Sequence, residues 1–209
     1  MVGIFVILAV VVGSMVLHEL AHGFVAYLLG DDTAKEEGRL SLNPVKHLDP
    51  ILSIAMPLLL YIAGMPVFGG AKPVPVNSRN LKFREWGMAL VAVAGPLMNF
   101  ILAFLGFVAV HLLGGVDLES LGGMALRQIV FVNLGFGIFN LIPIPPLDGS
   151  RILYAIAPDG AREIMQRIES VGFVVIYVMI FALGGVFSQL MGGAIRAVLN
   201  FFQLIVGVL

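Results

Sequence analysis

The chain begins with 29 residues that are almost wholly apolar, and their only charged or imidazole side chains are those of His18, Glu19 and His22. This segment is longer than the roughly 20 residues that a helix needs to cross a bilayer. Three later stretches are similarly apolar: 86–113, 124–147 and 171–187. Charged residues make up only 12% of the chain, against about 25% in soluble domains, so polar side chains are too few to cover a water-facing surface. The sequence therefore predicts an all-α polytopic membrane protein.

Two further apolar stretches leave the number of crossings open. Residues 51–68 contain two prolines and one glycine, which favour either an irregular span or a re-entrant segment that dips in and returns. Residues 190–209 are apolar around Arg196 and are typical of either a last span or an interfacial helix. The N-terminus lacks the basic residues of a signal peptide, so we expect it to be retained. We interpret residues 1–209 as a single intramembrane domain.

The distribution of basic residues predicts the orientation. If 51–68 crosses the membrane, the 12 Lys and Arg residues divide into seven and five on the two sides. If it is re-entrant, all of them except Arg127 and Arg196 lie on one side. Because basic residues concentrate in cytoplasmic loops, the second arrangement is favoured, with loops 30–85 and 148–170 in the cytoplasm. The net charge of −1 gives no indication of nucleic-acid binding.

The first span contains the pattern His18-Glu19-Leu20-Ala21-His22. Positions i and i+4 lie on nearly the same face of a helix, so both imidazoles can bind one Zn²⁺, while Glu19 is placed to act as general base on water. An acidic side chain at mid-span costs about 2.5–3.5 kcal/mol, and a divalent cation would compensate for it. The alternative is that both histidines hydrogen-bond between helices and Glu19 reaches an interface.

A catalytic zinc ion usually has three protein ligands, and a chain without cysteines must supply the third from His or a carboxylate. Asp148 is the best placed, because the proline-rich stretch 140–149 would interrupt its span and open the backbone near the metal. The alternative is that Asp148 belongs to an ordinary turn. His111 lies at the opposite end of its span and is interpreted as interfacial, whereas His47 lies in a loop and is interpreted as a polar surface residue.

Two amides in apolar spans, Asn99 and Asn140, each have two interpretations. Asn140 either donates to an oxyanion or to substrate backbone, or it makes a hydrogen bond between helices, and the same choice applies to Asn99. Gly95-Pro96 is expected to kink its helix and to allow close approach of backbones.

The loops after the first span predict little regular structure. Residues 38–42 alternate between polar and apolar side chains, which is a strand pattern, and residues 72–76 are expected to be extended. The predicted fold is therefore a core of three transmembrane helices that carry the polar motifs, additional spans, and a small re-entrant or β-hairpin-like loop.

Three separated motifs together resemble the site-2 protease family of intramembrane zinc metalloproteases. They are His18-Glu19-Leu20-Ala21-His22, Gly95-Pro96-Leu97-Met98-Asn99, and Asn140 through Gly149. The resemblance covers about residues 1–187, and the stretches Leu40–Pro50 and Ala71–Pro75 are similar to the compact prokaryotic branch. We expect no room for the PDZ or CBS domain that other branches carry.

The resemblance implies that His18, His22 and Asp148 bind one Zn²⁺ per chain. It further implies that Glu19 is the catalytic base and that Asn140 places the substrate or stabilises the oxyanion. The implied activity is hydrolysis of peptide bonds in or near transmembrane segments of other proteins, as in regulated intramembrane proteolysis. The implied location is a prokaryotic plasma membrane, with the metal below the cytoplasmic surface and an extended substrate-binding edge within residues 38–44.

Two other functions are considered. A divalent-metal transporter would need ligands along a path across the bilayer, whereas the polar residues of these spans cluster towards one side. A catalytically inactive membrane binding protein would not need Glu19 beside a full set of ligands. The expected partners are the lipid bilayer and transmembrane protein substrates.

Overall fold

The structure, a computed structural model, describes residues 2–62, 70–113, 120–172 and 174–207. Within these ranges the elements are α1 (Val2–Leu28), α2 (Thr33–Glu36), a 3₁₀ turn (Pro44–His47), a π-helical turn (Pro50–Ala55), α3 (Met56–Ile62), α4 (Glu85–Leu112), α5 (Leu121–Asn140), α6 (Asp148–Ile156), α7 (Asp159–Val171) and α8 (Val174–Val206). Helices α1, α4, α5 and α8 are long and apolar enough to cross a membrane. The prediction of an all-α polytopic membrane protein is confirmed.

Helix α4 lies at the centre and packs against α1, α5 and α6. Its buried face consists mostly of small residues: Gly87, Ala89, Ala92, Ala94, Gly95, Ala103 and Gly106. In a membrane, where lipid is as apolar as the side chains, small residues let helix backbones approach closely and gain packing contacts. A Cβ added at Gly106 would lie 3.0 Å from the side chain of Ile129 on α5. This close packing lets short polar side chains reach from one helix to the next.

Helix α8 is a single helix bent at Leu183, where φ is −119° and ψ is 19°. We predicted separate elements at 171–187 and 190–209, but α8 runs through both as far as Val206. No proline interrupts the intervening stretch, so nothing forces the helix to end there. Its buried residues are Ile176 in the first turn and Phe202 and Val206 near the end, where Phe202 packs in the apolar cluster around Leu134.

The loop after α1 and the loop before α4 are bound to each other. Arg39 Nη2 donates to Lys72 O at 2.8 Å and to Pro73 O at 3.3 Å. Asn77 N donates to Asp31 Oδ2 at 2.6 Å. Loops joined by direct hydrogen bonds lie on the same side of the helices that they connect. We name this pair of loops, residues 30–48 and 70–82, the cap.

The predicted strand at residues 38–42 is wrong. The stretch forms turns, and its alternation does not correspond to burial, because Arg39 is buried whereas Leu42 is 70% exposed. The backbone groups of the facing segment 72–76 bond to the side chains of Arg39 and Glu19 and to the carbonyl of His47, not to a neighbouring strand. Neither a strand nor a β-hairpin forms in the described part of the chain, so the expected substrate-binding edge within 38–44 is not formed there.

The structure describes only part of segment 51–68. A π-helical turn ends at Ala55, and α3 covers Met56–Ile62. Residues 63–69 lie outside the described residues, so the choice between a spanning and a re-entrant segment depends on the positions of its two flanking loops.

Candidate metal centre

Two histidines on successive turns of α1 form one side of the candidate site. His18 and His22 are 7% and 8% exposed, and their Nε2 atoms are 3.0 Å apart. This proximity follows directly from the helical period, which brings positions four residues apart onto one face. Glu19, on the adjacent part of the same turn, is half-buried.

A turn after α5 brings the third polar residue back to α1. Helix α5 ends at Asn140 and α6 begins at Asp148. Asp148 Oδ2 lies 3.3 Å from His18 Nε2 and 3.4 Å from His22 Nε2. The proline-broken stretch therefore ends the helix early enough for Asp148 to meet both histidines.

Gly149 explains how this turn can close so tightly. A Cβ added there would lie 2.7 Å from Ile142 O and closer still to Leu141 O. Real Cβ atoms do not approach carbonyl oxygens so closely. Only glycine therefore allows the start of α6 to pack against the end of α5, and this packing carries Asp148 into position.

Gly95 on α4 forms the wall of the site. A Cβ added at Gly95 would lie 2.6 Å from His18 Nε2 and closer still to His22 Nε2. The backbone of α4 thus lies directly against the imidazole edges that face Asp148. The predicted close approach at Gly95-Pro96 is confirmed at Gly95.

Each histidine donates a hydrogen bond from its other ring nitrogen. His22 Nδ1 lies 2.7 Å from Val91 O, and a carbonyl oxygen can only accept, so Nδ1 carries the proton. His18 Nδ1 lies 2.6 Å from Asn99 Oδ1. Metal-binding histidines characteristically donate their second nitrogen in this way, which leaves the lone pair of Nε2 for the metal.

The donor set fits a zinc ion. Asp148 Oδ2 is buried without a hydrogen-bond partner, and with His18 and His22 it forms the group of possible metal ligands found among the described residues. The three distances between donor atoms, 3.0, 3.3 and 3.4 Å, match the edge of a tetrahedron, about 3.3 Å for zinc bonds of about 2.0–2.1 Å.

The cap contacts Glu19 through one backbone hydrogen bond. Val74 N donates to Glu19 Oε2 at 2.9 Å, while Oε1 makes no hydrogen bond within the described residues. Gly23, one turn further along α1, packs closely under the cap, because a Cβ there would lie 2.7 Å from Leu40 and 3.1 Å from Val74. One oxygen of Glu19 is therefore fixed by the cap, and the other remains available.

Other predicted residues lie elsewhere. Asn140 is half-buried and donates to Phe136 O of its own helix at 3.1 Å. The interpretation of His47 as a surface residue is wrong: it is fully buried, and its Nε2 lies 2.7 Å from Ser41 O, because the cap folds around it. His111 is exposed in the last turn of α4, as expected.

Sequence reasoning missed five buried polar residues: Ser14, Asp31, Arg39, Asn133 and Ser150. Ser14 lies four residues before His18 and therefore on the same helix face. A signal for Asn133 was present, because an amide in an apolar span must find a partner inside the protein. Nothing in the sequence marks Asp31 and Arg39 as different from their charged neighbours in the loop.

Comparison with known proteins finds relatives that are named zinc metalloproteases. The profile of peptidase family M50 matches residues 123–183. A Bacillus subtilis protein named "Putative zinc metalloprotease YwhC" is 45% identical over 172 residues, which are 79% of this chain and 75% of that protein. "Putative zinc metalloprotease Rip2" of Mycolicibacterium smegmatis is 29% identical over 188 residues, covering 86% of this chain and 68% of the relative. "Zinc metalloprotease MJ0392" of Methanocaldococcus jannaschii is 32% identical over 143 residues, which are 68% of this chain and 32% of that protein. No solved structure matches.

Proposed function

The chain belongs to peptidase family M50 and is a zinc metalloprotease of the membrane, and from this premise we propose that it is an intramembrane endopeptidase that cleaves transmembrane segments of other proteins. One observation carries the proposal: His18, His22 and Asp148 present three donor atoms 3.0–3.4 Å apart, beside Glu19. These three residues would be the zinc ligands, and Glu19 would be the catalytic base.

The depth of the site supports cleavage inside the membrane. Gly95, which touches both histidines, lies ten residues after Glu85 at the start of α4. At 1.5 Å per residue, the site is about 15 Å below that end of the helix. This depth reaches well into a hydrocarbon core about 30 Å thick. A water path to the metal would start at the cap side, where α4 begins and α1 ends.

The cap supports the predicted orientation. Its two loops, before and after segment 51–68, are hydrogen-bonded to each other. A single crossing by that segment would put them on opposite sides, so their contact favours a re-entrant segment. The basic residues of both loops then lie with those of α6 and α7 on one side, which the positive-inside rule assigns to the cytoplasm. We therefore place the active site nearer the cytoplasmic face of a prokaryotic plasma membrane.

The mechanism assigns each residue one task. When bound, zinc polarises the scissile carbonyl and lowers the pKa of water. Glu19 takes a proton from the attacking water and returns it to the leaving amine. His18, His22 and Asp148 would hold the ion, while the backbone of Gly95 leaves no space for other groups on the α4 side. Asn140 would act on the oxyanion only after its amide leaves Phe136 O.

The experiment compares wild type with Glu19→Gln on a panel of single-span substrates, with zinc quantified in each detergent-purified protein. Glu37→Gln is a matched control, because Glu37 is exposed on the cap. We expect Glu19→Gln to lose cleavage and to keep about one zinc per chain, whereas Glu37→Gln behaves as wild type. Turnover by Glu19→Gln would exclude its role as the base, and absence of zinc from wild type would exclude the whole assignment.

A further inference from the structure

Four buried polar side chains form a continuous line across three helices. Ser14 and His18 come from α1, Asn99 from α4 and Asn133 from α5, and none is more than 7% exposed. Asn133 Nδ2 donates to Ser14 Oγ at 2.8 Å, and Asn99 Nδ2 donates to Asn133 Oδ1 at 2.8 Å. The line ends at His18 Nδ1, 2.6 Å from Asn99 Oδ1. We name these residues the relay.

A backbone carbonyl fixes the direction of the relay. Asn133 Nδ2 also lies 2.8 Å from Ile129 O, which can only accept a hydrogen bond. The amide nitrogen of Asn133 must therefore face Ile129, because the opposite orientation would place two acceptors against each other. Asn133 Oδ1 then faces α4 and can only accept.

The amide orientation of Asn133 fixes that of Asn99, and Asn99 in turn fixes the tautomer of His18. Because Asn133 offers an acceptor, Asn99 must turn its Nδ2 towards it and its Oδ1 towards His18. An acceptor at that position requires a proton on His18 Nδ1. The Nε2 atom of His18 is thereby left with its lone pair facing Asp148 and His22.

The two histidines differ in how this tautomer is set. His22 receives it from the backbone carbonyl of Val91, which no substitution removes. His18 depends entirely on side chains from two other helices. A hydrogen bond that only held the helices together could form with either tautomer of His18, whereas the relay permits only the Nδ1–H tautomer.

We propose that Asn99, oriented by Asn133, is a positioning residue that selects the Nδ1–H tautomer of His18 and so raises the affinity of the site for zinc. The proposal rests on the proposed function in one respect, the assignment of His18 as a ligand. Removing such an outer hydrogen bond typically lowers metal affinity about 10–100-fold. Ser14 only completes the line, because Ile129 O already orients Asn133.

The test measures the zinc dissociation constants of the full-length protein in detergent by chelator competition. We expect Asn99→Leu to weaken zinc binding by about 10–100-fold, Asn133→Leu to weaken it less, and the equally buried control Ser14→Ala to change it less than about two-fold. Zinc affinities of Asn99→Leu and Ser14→Ala that agree within two-fold in folded protein would overturn the proposal. Wild type that binds no zinc would instead overturn the proposed function.

A second measurement does not depend on the folding of a variant. The ¹⁵N resonances of the four histidines in uniformly folded, metal-free wild type report which ring nitrogen carries the proton. We expect His18 to carry it on Nδ1, with a hydrogen-bonded proton that exchanges slowly. A proton on Nε2 of neutral His18 would overturn the proposal directly.

Discussion

The relay and the cap both bury polar side chains, but they satisfy them in different ways. In the relay, Asn99 and Asn133 bond to other side chains. In the cap, Arg39 donates to backbone carbonyls of the facing loop, and Asp31 accepts from the backbone N–H groups of Thr33 and Asn77 as well as from the side chains of Thr33 and Asn80. The difference follows from the surroundings. Backbone N–H groups inside a membrane helix are already used by the helix itself. A polar side chain there therefore bonds to another side chain, or donates to a backbone carbonyl as Asn133 does at Ile129 O.

This difference has a functional consequence. Asn99 and Gly95 each contact a candidate ligand histidine directly, so a substitution at either position reorients or displaces a ligand. In the cap, side chains replace missing secondary structure, and losing one of them loosens a loop. We therefore expect substitutions at Asn99 and Gly95 to weaken zinc binding, and substitutions in the cap to lower stability while zinc stays bound.

The largest effect is expected from Gly95→Ala. The added methyl group would lie 2.6 Å from His18 Nε2 and closer to His22 Nε2, so at least one ligand must move. We expect zinc affinity to fall by more than about 100-fold, beyond the range for outer hydrogen bonds. Gly13→Ala in α1 is the control, because a Cβ there meets nothing within 4 Å. Equal zinc content in both purified variants would show that α4 does not form the wall of the site.

A smaller effect, of the opposite kind, is expected from Asp31→Ala. Asp31 is fully buried and accepts hydrogen bonds from Thr33, Asn77 and Asn80. A hydrogen bond to a charged group contributes about 1.5–3 kcal/mol, and water can replace part of the bonding that the freed donors lose, so we expect the free energy of unfolding to fall by about 2 kcal/mol. The zinc dissociation constant of the folded protein should not change. The exposed neighbour Asp32, whose side chain caps nothing, supplies the control Asp32→Ala.

Thermal unfolding and chelator competition on the same samples would show whether Asp31→Ala lowers stability, zinc affinity or both. If Asp31→Ala lost zinc as Gly95→Ala does, the cap would belong to the metal centre and the distinction between the two regions would fail. If Asp31→Ala were as stable as Asp32→Ala, the hydrogen bonds of Asp31 would not hold the cap.

The contrast also shows which features a sequence can predict. The i, i+4 spacing of His18 and His22 follows from the helical period alone, and the prolines before Asp148 show where α5 must end. The partnership of Asn99 with Asn133 depends on how α4 and α5 are rotated about their axes, which no local pattern specifies. A strand was wrongly predicted at 38–42 because alternation is local, whereas a strand requires a free neighbouring edge.

His47 illustrates the same limit in the cap. Its position in a polar loop indicated a surface residue, yet it is fully buried. The burial arises because Lys72 N donates to His47 O at 2.9 Å and draws the second loop over it. Contacts between residues far apart in sequence decided this outcome, and composition carries no information about them.

The smallest effect concerns pH and acts on the cap alone. Burial by itself would raise the pKa of Asp31, but hydrogen bonds from Thr33, Asn77 and Asn80 outweigh it and lower the pKa below its ordinary value. The folded state therefore prefers the carboxylate. The stabilisation is complete above the unfolded pKa of about 3.9, and it is lost as pH falls through the lower, folded value.

Asp31→Asn isolates this contribution, because an amide has the shape of the carboxyl group without its charge. We expect wild type to unfold at a higher temperature than Asp31→Asn at pH 5–7, and the gap to close as pH falls below about 4. The same scan with Asp32→Asn, which alters an exposed carboxylate, should show no such closing gap. A gap that stays constant down to pH 3 would mean that the charge of Asp31 does not hold the cap, and that its hydrogen bonds act as neutral ones like those of the relay.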